Sequence, residues 1–181
     1  MISNEMISHI EAYKSHGQII DAAEYVLRTF GLEDANLQGF EYREEVKDNY
    51  LVITTEGEFG ELQKIRLPLN FFDYNLALAV NLLAHEMIHV RQKTREPYVL
   101  DKNEREWQAY TENLFHKEFP QVPDAPLFNQ KQFAQNALMY YNRMEKDGEL
   151  QLKYAVEKSK VEARLDEILI ARGEKEDNHN I

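Results

Sequence analysis

Between Asn75 and Gln92 the chain carries a helical pattern that a surface helix could not use. On a wheel advancing about 100° per residue, Leu76, Ala79, Val80, Leu83, Met87 and Val90 gather on the side opposite His85. Leu78 and Leu82 lie on the His85 side, one or two turns earlier. A rod that is apolar on both faces must be covered by neighbours, so it is expected to run through the middle of the fold. Its C-terminal end alone turns polar, at His85-Glu86-Met87-Ile88-His89, and there it is expected to open into a cleft. Asp73 or Asn75 can cap its start, once Pro68 has closed the segment before it.

The rest of the chain must cover that rod. Residues 4–30 place Ile7, Ile10, Tyr13, Ile20, Ala23, Val26 and Phe30 mostly at three- and four-residue steps, with Gly17 as the break between two short helices. The texture then changes to Gly39–Tyr42, Tyr50–Thr55 and Leu62–Leu67, rich in β-branched and aromatic residues and separated by turn chemistry at 47–49 and 56–60. These segments predict a three-stranded antiparallel meander over 38–68. Helical spacing returns over 102–117, and, after a loop marked by Pro120, Pro123 and Pro126, over 130–147 and 150–172. The expected class is α+β: a small antiparallel sheet packed on the central helix, flanked by N- and C-terminal helices. Residues 1–172 read as one domain, helical over 4–30, with the two site-bearing helices within 75–118 and the closing helices within 130–172. The polar stretch 173–181 is expected to be a disordered tail.

Composition narrows the function. Lys plus Arg 21 against Asp plus Glu 32 leaves a formal charge of −11, a field that repels nucleic acid, so no nucleic-acid partner is expected. The chain has no cysteine, so any metal site must be built from His and carboxylate. The first twenty residues scatter charges among apolar positions and show no export signal, and Leu76–Ala84 is far too short to cross a bilayer. A cytoplasmic protein with no membrane partner is the expectation.

His85 and His89 stand about 40° apart and one turn from each other, where two imidazoles can grip one ion. A catalytic tetrahedral site needs a third protein ligand from another element. On the next helix Glu106 shares a face with Ala109, Tyr110, Asn113 and Leu114, whereas Glu104, Gln108, Thr111 and Glu112 fall on the polar side. A carboxylate on a packed face needs a strong partner, either a metal or a base such as Arg91 or Arg95.

His-Glu-x-x-His followed, after sixteen intervening residues, by Glu106-Trp107-Gln108-Ala109 resembles the gluzincin branch of the zincin metallopeptidases, and His89-Val90-x-Gln92 is similar to a run in a subset of bacterial metallopeptidases. The resemblance covers about residues 50–118. It implies a zincin-like fold, Zn2+ held by His85, His89 and Glu106, Glu86 as general base, and a peptide or protein substrate laid along a sheet edge. The family's Asp four residues after the ligand Glu is replaced here by Tyr110, so Tyr110 or another group must orient a ligand histidine. Tyr110 is also the first candidate for stabilising the oxyanion, with Tyr98 and His116 as alternatives. The function so implied is zinc-dependent peptide hydrolysis. The competing readings are a zincin-like protein whose metal only braces two helices, and a metal-free helical interaction domain.

Overall fold

A computed structural model describes residues 2–43 and 51–174 of the chain. Helix α1 (Asn4–Ser15) starts at Ser3, whose hydroxyl accepts the Met6 N–H at 3.1 Å, and Gly17 at φ +69° turns the chain into α2 (Ile19–Phe30). The left-handed conformation that ends α1 costs glycine nothing, which is why the break falls there. Strands β1 (Leu37–Tyr42), β2 (Thr54–Glu56) and β3 (Gln63–Leu67) follow. Four helices complete the described chain: α3 (Leu76–Thr94), α4 (Lys102–Phe115), α5 (Leu127–Arg143) and α6 (Glu149–Ala171). The architecture is α+β, and no described helix is long and apolar enough to cross a membrane.

The expected antiparallel meander is not what forms. The sheet order is β1-β3-β2, with β1 parallel to β3 and β2 antiparallel to it. The turn over 56–60 does make β2 and β3 a hairpin, helped by Gly57 and Gly60 at positive φ. Of the strand expected over Tyr50–Thr55, Tyr50 lies outside the described residues, 51–53 are not in a strand, and β2 begins at Thr54. Chain order does not carry over into sheet order because β3 is the buried strand. Its Gln63, Ile65 and Leu67 face inward, and a strand so placed takes a partner on each edge. The turn expected at 47–49 lies outside the described residues, as does residue 175 onward of the expected tail. Of the latter, Gly173 and Glu174 are described, with Glu174 accepting from Lys131 and Arg172.

Helix α3 runs through the middle, as its pattern requires. Eleven of its residues are buried, and Leu82 packs against both apolar clusters of the molecule. One cluster joins α1, α2 and the sheet to α3; the other is built from Trp107, Phe133, Ala137, Tyr141 and Val161 of α4, α5 and α6. Asn75 caps α3 by accepting from the Leu78 N–H at 3.2 Å. Inside the rod, buried Asn81 donates to the carbonyls of Ala77 and Pro123, at 2.8 and 2.7 Å, and so ties the helix to the proline loop.

Helix α4 corrects a second expectation. Glu104 and Glu112, assigned to a polar side, are 8% and 4% exposed. Three helices surround α4, which therefore has no wholly solvated face. Glu104 meets Lys153 and Tyr154, while the Glu112 carboxylate accepts the backbone N–H groups of Lys117, Glu118 and Phe119 just past the helix end.

The C-terminal turns of α3 are fastened to the α2–β1 loop by Asp34, which pairs with Arg91 and Arg95. Burial alone would raise the Asp34 carboxyl, but the Asn36 backbone N–H and the Arg95 guanidinium hold it below the usual carboxylate range. A lowered carboxyl stabilises the fold above its unfolded value, and that contribution disappears as acid protonates it. Asp34→Asn is therefore expected to lose about 1–2 kcal/mol at pH 7, with the gap to wild type closing below about pH 4. Urea melts at pH 7 and pH 3.5 read this out, and an equal gap at both would contradict it.

Candidate metal centre

One turn of α3 points His85 and His89 the same way, and α4 brings Glu106 across to meet them. The Nε2 atoms of the two rings are 3.2 Å apart, and Glu106 Oε2 lies 3.5 Å from His85 Nε2 and 3.8 Å from His89 Nε2. Ligand atoms around a tetrahedral ion bonded at about 2.0–2.2 Å stand about 3.3–3.6 Å apart. The observed triangle has that size. Arg91 and Arg95, the alternative partners for Glu106, are engaged elsewhere, Arg91 with Asp34 and Glu118, and Arg95 with Asp34.

The protons at the site decide what the triangle can hold. Asn113 donates its amide to the Asn81 carbonyl at 2.7 Å, so its Oδ1 faces His85 Nδ1 at 3.0 Å. Gln92 donates to the Arg105 carbonyl at 2.9 Å, so its Oε1 faces His89 Nδ1 at 2.8 Å. A backbone carbonyl can only accept, and each amide is therefore held with its oxygen toward a ring. Both rings then carry their proton on Nδ1, and in the neutral form both Nε2 lone pairs point at each other and at the Glu106 carboxylate. Three electron-pair donors within 3.8 Å, with no proton assigned between them, form a cradle suited to a cation. His85, His89 and Glu106 can together hold a metal ion.

The charges follow the same arrangement. Burial alone would raise the Glu106 carboxyl, but the two imidazoles, once protonated and donating to it, hold it well below the usual carboxylate range. Burial would lower His89, yet Glu106 and Glu86 raise it overall.

Glu86 sits beside the triangle without belonging to it, 6% exposed. The Thr55 hydroxyl of β2 lies 2.8 Å from Glu86 Oε2 and 3.0 Å from the Glu86 carbonyl, so the sheet holds the acid in place. Tyr110 lays its ring edge-on against His85, with centroids 4.6 Å apart, and stacks on Tyr140 of α5. Burial and the charge of Glu106 push its phenol up to about 12, so it stays protonated at neutral pH. The orienting bond to His85 thus comes from Asn113 and not from Tyr110. The other two aromatic candidates are not engaged with the triangle: His116 pairs with Asp124, and Tyr98 packs on Phe59 and Gly60.

Sequence reasoning missed three supports. Asn113 was legible as a carboxamide on the same packed face as Glu106, two turns on. Gln92 stood in the motif run without a role. Thr55 gave no local signal, because its meeting with Glu86 spans 31 residues of chain. A cavity of about 360 Å3 lies behind α3 along Ile88, Arg91, Gln92 and Gln108, and none of the three ligand candidates lines it. Comparison with known families, with curated proteins and with solved structures finds no match.

A divalent ion bound to the folded state alone stabilises it by mass action, by about 2.7 kcal/mol at a free concentration of one hundred times its Kd. Calorimetric titration with Zn2+ is expected to give one site and a matching rise in stability. His85→Ala, His89→Ala and Glu106→Ala should each abolish the saturable site. Retention of that site in Glu106→Ala would transfer the ligand role to another acid.

Proposed function

We propose that this chain is a zinc-dependent peptidase of the zincin type, acting on peptides or proteins. One observation carries the reading: three candidate ligands converge while a second acid, Glu86, is held close by but apart from them. Structural zinc sites close their shell with four protein ligands, whereas catalytic sites keep a position open for water and substrate. Among the described residues the cluster offers three. Two neutral imidazoles and one carboxylate suit Zn2+ and leave a net positive centre.

Held by His85, His89 and Glu106, Zn2+ would supply Lewis acidity to a water molecule and to the scissile carbonyl. Glu86 accepts the water proton on a carboxylate oxygen and later returns it to the leaving amine nitrogen. The Thr55 hydroxyl fixes the carboxylate, so that proton transfer starts from one geometry. Asn113 and Gln92 keep both rings presenting Nε2. Tyr110, protonated and packed on His85, is the nearest candidate to donate to the carbonyl oxygen as charge develops there. Strand β2 lies at the rim of the sheet, beside Glu86, and an extended substrate can add to its outer edge by backbone pairing.

The second reading, a metal that only braces α3 and α4, draws support from the burial of the site and from the hydrogen bonds that span those two helices. It leaves Glu86 without a task.

Glu86→Gln separates the two. Under the peptidase reading it keeps one Zn2+ per chain and loses turnover of an unstructured polypeptide by about 100- to 10,000-fold. Full turnover in this variant would remove Glu86 from the mechanism. A wild-type chain that melts lower on chelation yet never cleaves would favour the brace.

A further inference from the structure

The support behind His89 does not stop at Gln92. The second amide hydrogen of Gln92 goes to Gln108 Oε1 at 2.9 Å, Gln108 Nε2 reaches the Tyr154 hydroxyl at 2.7 Å, and that hydroxyl reaches Glu104 Oε1 at 2.6 Å. Lys153 Nζ lies 2.8 Å from the same carboxylate oxygen. The path therefore runs from α3 through α4 to α6 and back to the first turn of α4. It joins the metal cradle to a helix that contributes no ligand.

The direction of the path is set at its far end. Glu104 Oε1 accepts there, from the Lys153 ammonium, which can only donate, and from the Tyr154 hydroxyl. Tyr154 must then donate to Glu104, which leaves its oxygen to accept from the Gln108 amide. That fixes Gln108 with Oε1 toward Gln92, and Gln92 with Oε1 toward His89. Burial and the neighbouring Glu104 raise the Tyr154 phenol, so the donating proton stays in place. If any one amide turned over, two donors would face each other in a half-buried setting, with a desolvation cost and no bond in return.

We propose that Gln108, Tyr154 and Glu104 are positioning residues for the metal cradle, acting as a one-way relay through which α6 holds His89 in the tautomer that presents Nε2 to the ion. The proposal rests on reading His89 as a metal ligand. The Arg105 carbonyl orients Gln92 from one side and the relay from the other. Tyr154 also packs its ring on Trp107, with centroids 5.9 Å apart, so its hydroxyl can be removed while the packing is kept.

The test compares wild type, Tyr154→Phe and Gln108→Met. Ring-nitrogen NMR of each metal-free protein at pH 9 reports the His89 tautomer, chelator competition reports Zn2+ affinity, and thermal melting reports stability. In wild type His89 is expected to hold its proton on Nδ1. Tyr154→Phe should admit the Nε2–H form and weaken Zn2+ binding about threefold, since one distant bond of a cooperative chain is lost. Gln108→Met cuts the relay nearer the ring and should weaken binding about tenfold.

Unchanged tautomer and affinity in both variants would overturn the relay, whatever happens to the melting temperature, because a purely structural tie would move only that. An Nε2–H ring in the wild type would overturn it as well. A wild type that binds no Zn2+ but keeps its Nδ1–H ring, with the ring altered in the variants, would overturn the metal reading while leaving the control of His89 by α6 in place.

Discussion

The molecule is organised around three electron-pair donors brought to one point with their protons turned away. Left to themselves, two imidazole nitrogens and a carboxylate at 3.2–3.8 Å repel, and a chain would separate them unless their backbones were fixed from elsewhere. Central placement of α3 does that fixing. The rod is held by the sheet and α2 on one side and by the α4–α6 cluster on the other, so neither histidine can relax without unpacking a core. Each ring proton is then assigned by a backbone carbonyl, from Asn81 in one case and Arg105 in the other. The same cores that stabilise the fold thereby concentrate negative potential at a single spot.

Much of this was legible in the chain. Apolar residues on both faces of 76–90 place α3 at the centre, Gly17 marks the break between α1 and α2, and the turn over 56–60 yields the β2–β3 hairpin. His85, His89 and Glu106 do come together, because one-turn spacing and a packed-face acid are local properties of a helix. What was illegible depends on pairing across distance. The partner of β1 is chosen by the inward face of β3, not by chain order, so a meander was expected where a mixed sheet forms. Glu104 and Glu112 look like solvent acids on a wheel that sees one neighbour, yet α4 has three. Their partners, Tyr154 in one case and the N–H groups after the helix end in the other, carry no signal at the position of the acid itself.

The two carboxylates nearest the site occupy different environments for a physical reason. Glu106 faces two imidazoles that favour its ionised form only when a positive charge, a proton or a metal ion, lies between them and it. Glu86 meets a neutral hydroxyl from another layer of the fold, which fixes where its oxygens point without neutralising them. One acid is thus committed to the two rings and the other to the sheet.

The bond from Thr55 also has a mechanical side. Its hydroxyl is within reach of both the side chain and the main-chain oxygen of Glu86, so sliding of the sheet along α3 would disturb two polar contacts together. Strand β2 is only three residues long, and slippage by one position would turn Thr55 to the opposite face. Lengthening the hairpin tip is tolerable only while that register is preserved, which makes three residues of backbone the gauge by which the acid keeps its station.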